Sequence, residues 1–127
     1  MNIYNRDLFF KYFNMAFIIA MLFSIVSCES DDSNIPFSDL EVYVSGTLSG
    51  NPRSGLRVTV YDTEDDAMNE VNAVTSTQTT DSNGYAFFEN LEPGFRYWVR
   101  VDTTLINNIN RTEQLDEGFN EMSMTIL

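Results

Sequence analysis

Two absences set the chemistry open to this sequence. Its 127 residues include no histidine, and Cys28 is the sole cysteine. Without histidine the commonest general base is missing, and Ser–His or Cys–His nucleophile pairs cannot form. A lone cysteine without histidine cannot build a zinc site of the usual type. Paired carboxylates remain, but glycosidase work needs two of them across a defined cleft, which a small sandwich rarely supplies. The chain is therefore expected to be non-enzymatic, with no catalytic residues, metal or cofactor.

Two groups of residues are left as binding candidates. Trp98 is flanked by Arg96 and Arg100, and alternation along this segment directs all three away from a core. Tyr43 and Tyr61 are candidates for the same outer face. An exposed aromatic with cationic neighbours suits stacking on a sugar ring or anchoring a protein partner. The competing reading is cross-strand pairing, with the arginines bridging acids on adjacent strands. The second group is Asp62, Glu64, Asp65, Asp66 and Glu70. Calcium prefers such oxygen ligands, but the glycine-centred spacing of an EF-hand is missing. Acids in the first turn of a helix account for the cluster without a metal.

These residues need elements to hold them. From Glu41 the sequence alternates, the mark of half-buried strands. Val42, Val44 and Leu48 fall on one face. Leu56, Val58 and Val60 alternate with Arg57, Thr59 and Tyr61. Thr63-Glu64-Asp65-Asp66 fits a helix start, and Ala67, Val71 and Val74 follow helical spacing, which predicts one short helix crossing between strands. Thr75 to Thr80 reads as a polar edge strand. In the run from Thr80 to Gly94, Asp81 is placed to accept bonds from turn amides, and Asn83-Gly84 tolerates the positive φ of a tight hairpin. Ala86 and Phe88 point one way, Tyr85 and Phe87 the other. Tyr97, Val99 and Val101 form an inward row, and a last strand turns Met122, Met124 and Ile126 inward. About six short strands and one helix predict an all-β sandwich.

The stretch from Arg57 to Asp102 resembles transthyretin-like, carboxypeptidase regulatory-like or Cna-B-type domains. The resemblance rests on the strand Val58 to Tyr61, the turn Thr80 to Gly84, the aromatic strand Tyr85 to Phe88, the turn Leu91 to Gly94 and the strand Tyr97 to Val101. It implies a small Ig-like or transthyretin-like β-sandwich, and it says little about function because this fold hosts many roles. Hydroxyisourate hydrolase relatives need histidines that this chain lacks. The lysine–asparagine isopeptide bond common in Cna-B domains is also excluded, since no lysine follows Lys11.

The N-terminal stretch carries a different message. Met15 to Val26 is an uncharged apolar run behind Arg6 and Lys11. It is short for a membrane-spanning helix, which takes about 20 residues, and it has the length of a signal-peptide core. An uncleaved anchor is the competing reading. Ile25-Val26-Ser27-Cys28 resembles the lipobox of bacterial lipoproteins, which implies acylation of the Cys28 sulfur and amine. Three acyl chains would hold almost permanently where one is marginal. Glu29-Ser30-Asp31-Asp32 resembles the surface-export signal of Bacteroidota lipoproteins, which implies display on the outer membrane. A tether that is merely acidic and solvated is the alternative. Asp102-Thr103-Thr104 resembles their O-glycosylation motif, with Thr103 as acceptor, beside the plain reading of a strand end.

The organisation expected is a lipoprotein signal peptide over 1–27, a lipidated Cys28 with a flexible acidic linker over 28–40, and the sandwich over 41–127. After Cys28, five arginines face eighteen carboxylates, a net −13. Such a surface repels nucleic acid. The expected role is a lipid-anchored envelope binding or adhesion module, accessory to an outer-membrane transport or polysaccharide-capture system. Its expected partners are the membrane, through the acyl chains on Cys28, and an envelope protein or glycan. The alternative is a structural envelope subunit that assembles by β-strand augmentation, with Thr75 to Thr80 as the edge.

Overall fold

The structure is a computed structural model that describes residues 35–127. Cys28 and the cluster Glu29, Ser30, Asp31 and Asp32 lie outside the described residues. Seven strands and one helix follow in order: β1 (Ser38–Gly46), β2 (Arg57–Tyr61), α1 (Glu64–Asn69), β3 (Gln78–Thr79), β4 (Tyr85–Leu91), β5 (Trp98–Asp102), β6 (Asn108–Arg111) and β7 (Gly118–Ile126). They form two sheets, a three-stranded one ordered β4-β1-β7 and a four-stranded one ordered β3-β2-β5-β6. The all-β sandwich with one short helix is thus the fold observed. Among the described residues, no helix is long and apolar enough to cross a membrane.

Alternation explains β1. Leu40, Val42 and Val44 are fully buried while Asp39, Glu41, Tyr43 and Ser45 turn outward. These valines and the leucine meet Val58 and Val60 of β2, Ala86 and Phe88 of β4, Val99 and Val101 of β5, and Met124 and Ile126 of β7 in one core. Met122 packs only partly against that core. The strand begins at Ser38, upstream of Glu41 where alternation is first legible. Leu48 does not join the β1 row: it lies past the strand end and is 96% exposed.

The turns follow from local chemistry. Asp81 Oδ1 accepts from the amides of Asn83 at 2.8 Å and Tyr85 at 3.0 Å. The positive φ in this turn falls on Gly84 (φ 84°), not on Asn83. A Cβ at Gly84 would come within 2.7 Å of the Val44 carbonyl oxygen and 2.9 Å of Pro52 Cβ. The turn therefore needs glycine for both its dihedral and its close approach to β1. At the start of β5, Tyr97 donates from its hydroxyl to the Glu92 carbonyl at 3.2 Å and accepts from the Glu92 amide at 3.1 Å. This is the arrangement of a tyrosine corner, as found in Ig-type sandwiches.

Helix α1 starts as its residues dictate. The Thr63 side chain accepts from the Asp66 amide at 3.1 Å, with three acids in the first turn. It ends after Asn69, so Val71 and Val74 lie beyond it and stay partly exposed. Ala67 alone is buried on the helix.

Candidate functional site

The sandwich has two outer faces, and the structure treats them differently. On the four-stranded sheet, register sets Thr59 beside Arg100 and Tyr61 beside Trp98. The outward row of an edge-exposed sheet would be solvated. Here its middle is not, because the connection between β2 and β3 folds back over it, while Arg57 at the end of the row stays exposed. Thr59, Tyr61 and Arg100 are all buried. Thr59 and Thr77 share a 2.8 Å hydroxyl hydrogen bond, which ties the returning segment to the sheet.

Arg100, expected on an open ligand face, is instead buried at the centre of that closure. Its side chain is 5% exposed. Nη1 donates to the carbonyls of Ala67 at 2.8 Å and Met68 at 3.2 Å. Nε donates to Asp102 at 2.7 Å, and Nη2 pairs with Glu70. Burial works against its charge. The hydrogen bond and charge of Asp102, with Glu70 and Tyr61, outweigh burial and hold the guanidinium above its ordinary pKa. Arg100 thus satisfies the C-terminal carbonyls of α1, where the helix dipole favours a cation. It serves the fold, and a ligand cannot reach it.

Trp98 and Arg96 are also engaged with neighbours. Arg111 of β6 lies opposite Trp98 and stacks over its ring at 5.7 Å, a cation–π pair. Arg96 sits ahead of β5 and pairs with Glu113 at 3.3 Å. The expected quartet with Tyr43 and Tyr61 is not brought together: Tyr61 is buried, and Tyr43 belongs to the other sheet. Thr103 follows β5 directly and is half-buried, its hydroxyl donating to the Ile106 carbonyl and accepting from the Ile106 amide at 3.1 Å.

Two members of the acidic cluster, Asp66 and Glu70, are taken up by local bonds. Asp66 accepts from the Thr63 hydroxyl at 2.7 Å and the Asn72 amide at 2.9 Å. These two bonds lower its pKa. Glu70 pairs with Arg100. Among the described residues no three acids converge as a metal-ligand set.

The other outer face, on the three-stranded sheet, is open. β1 supplies Asp39, Glu41, Tyr43 and Ser45 to it. β4 adds Tyr85, Phe87 and Glu89, and β7 adds Phe119, Glu121, Ser123 and Thr125. Register sets Tyr43 between Tyr85 and Ser123, and Glu41 between Phe87 and Glu121. The Tyr43 and Tyr85 rings lie 5.0 Å apart at a 43° tilt. Tyr85, Phe87 and Phe119 are 39%, 42% and 59% exposed. Glu41, Tyr43, Tyr85, Glu121, Met122 and Ser123 line a depression of about 190 Å³. The face carries no arginine or lysine. Period-2 reading of β4 marked Tyr85 and Phe87 as outward. It could not show that β1 pairs beside them with β7 beyond it, because strand order is not written in local sequence.

No family model matches the chain, and no curated protein matches it. Solved structures do resemble it. The TIE protein of Bacillus anthracis superposes with a TM-score of 0.52 at 18% identity, covering 71% of this chain and 16% of that one. The pilus 2b backbone protein of group B streptococcus gives 0.50 at 11% identity, covering 68% and 39%. The dioxygenase domain of a dioxygenase carbohydrate-binding protein fusion from Streptomyces sp. SirexAA-E gives 0.47 at 9% identity, covering 77% and 85%. The chain spans well under two thirds of the first two proteins. Likeness at these identities is likeness of fold, and with the tyrosine corner and the two packed sheets it describes an Ig-like β-sandwich.

Proposed function

We propose that this chain is a non-enzymatic binding or adhesion module of the cell envelope, anchored by acyl chains on Cys28 and displayed at the outer membrane. One observation carries the binding role. The middle of one sheet face, at Thr59, Tyr61 and Arg100, is covered by its own crossing segment, while the opposite face leaves Tyr85, Phe87 and Phe119 open to solvent. An open face with several exposed rings is the kind of surface that marks a contact site. The contact face is therefore the β4-β1-β7 face and not the surroundings of Trp98. The general resemblance to a pilus backbone protein is in keeping with a surface role. A place beside an outer-membrane transporter or a polysaccharide-capture system suits a small domain whose task is to hold something near the membrane.

A second reading has its own support. β7 is nine residues long and lies at the edge of its sheet, so an incoming strand could extend that sheet by augmentation. The edge expected from sequence, Thr75 to Thr80, yields only the two-residue β3, too short to template a partner.

The anchor is tested by fractionation. Cys28→Ser should shift the protein from the membrane pellet to the soluble fraction, because the acyl chains are lost. A variant that still sediments fully with membranes contradicts the anchor.

A further inference from the structure

We infer that the β4-β1-β7 face is a binding platform for a neutral oligosaccharide chain. This rests on the reading of the protein as a binding module and adds the ligand's chemistry. Three features on the face lead to it. The first is aromatic surface: Tyr85 and Tyr43 lie side by side across β4 and β1 with their rings tilted 43° to each other, and Phe87 follows one step along β4. Pyranose rings present C–H faces that pack on such rings, and their hydroxyls need acceptors at the rim. The second is the supply of acceptors: Glu41 and Glu121 sit side by side across β1 and β7, with Ser123 next to Tyr43. These carboxylates can accept hydroxyl hydrogens in charge-assisted bonds. The depression they line with Tyr43 and Tyr85, about 190 Å³, is the scale of a single ring rather than of an extended side-chain cluster.

The third feature is size and charge together. β1 and β7 have nine residues and β4 seven, so at about 4.8 Å between strands and about 3.3 Å per residue the face is roughly 15 Å wide and about 25–30 Å long. A sugar chain would fit along it. Charge then decides which sugar. No cation lies on β1, β4 or β7, while Asp39, Glu41, Glu89 and Glu121 do. Uronic or sulfated glycans would meet repulsion without a counter-charge, so the ligand is neutral.

Calorimetric titration of the full-length lipidated protein, held in a sugar-free detergent, tests this. The neutral probes are maltohexaose, cellohexaose, mannohexaose and galactohexaose, and hexagalacturonate is the anionic one. At least one neutral probe should bind saturably, and hexagalacturonate should not. Affinity should fall about tenfold in Tyr85→Ala and in Phe87→Ala, and stay unchanged in Trp98→Phe. Should Tyr85→Ala fail to fold, Tyr85→Leu keeps apolar area but removes the flat ring, and the same loss is expected. Silence from all four neutral probes, tighter binding of hexagalacturonate, or full affinity in the ring variants would overturn the inference. A protein adduct captured from Phe87 in cells alongside silent titrations would overturn the glycan and leave the binding module standing.

Discussion

Tyr97 shows how one side chain closes a corner of the fold. Its ring packs in the core while its hydroxyl bonds both to and from the Glu92 backbone. Burial raises its pKa above 10, with the Glu92 backbone bond pulling the other way and the charges of Asp62 and Glu92 adding to the rise. A raised phenol pKa has a definite sign in stability. The contribution is complete below the unfolded value of about 10 and disappears as pH climbs through the folded value. Ultraviolet difference titration should show one tyrosine ionising later than free tyrosine, and Tyr97→Phe should remove that late step. The same variant should lose about 1 kcal/mol near neutral pH. A late step that persists in Tyr97→Phe contradicts the assignment. Asp66 carries the opposite sign: its lowered pKa adds stability present above its ordinary value, lost as pH falls through the folded value.

Arg100 belongs to the scale of elements, because it joins a helix to a sheet. Its partners are two helix carbonyls, Glu70 and Asp102. Glu70 is largely solvated, so that ion pair alone is worth little. The cost of removing Arg100 comes mainly from stranded carbonyls and the half-buried Asp102. Arg100→Ala should therefore destabilise the domain by about 2–4 kcal/mol in urea unfolding. Arg100→Lys should recover only part, since an ammonium lacks the planar fork. A midpoint unchanged in Arg100→Ala would mean that α1 does not depend on this clamp. Sequence alternation placed Arg100 outward correctly. It failed to show that the outward side is covered, because coverage depends on where residues 62–77 return. The same limit explains β6. Asn108-Ile109-Asn110-Arg111 has neither apolar alternation nor turn signals at its ends, and it becomes a strand only by pairing with β5. Where chemistry is local, as in the Asp81 turn, the Thr63 cap and the two faces of β4, the sequence was legible to the residue.

For the whole molecule, the two faces divide the work. The middle of the β3-β2-β5-β6 face is covered by its own chain, which stabilises a domain that has no disulfide to help it. The β4-β1-β7 face keeps its aromatic rings in water, a hydrophobic cost that an isolated fold does not need. Polar substitutions there would be expected to leave stability nearly intact, and the cost is explained if a ligand covers the rings. The direct measurement is a photocrosslinking amino acid placed in living cells at Phe87 on one face and, separately, at Trp98 on the other. Adducts formed from position 87 and absent from position 98 are the expected result. Adducts from position 98 alone would contradict the account.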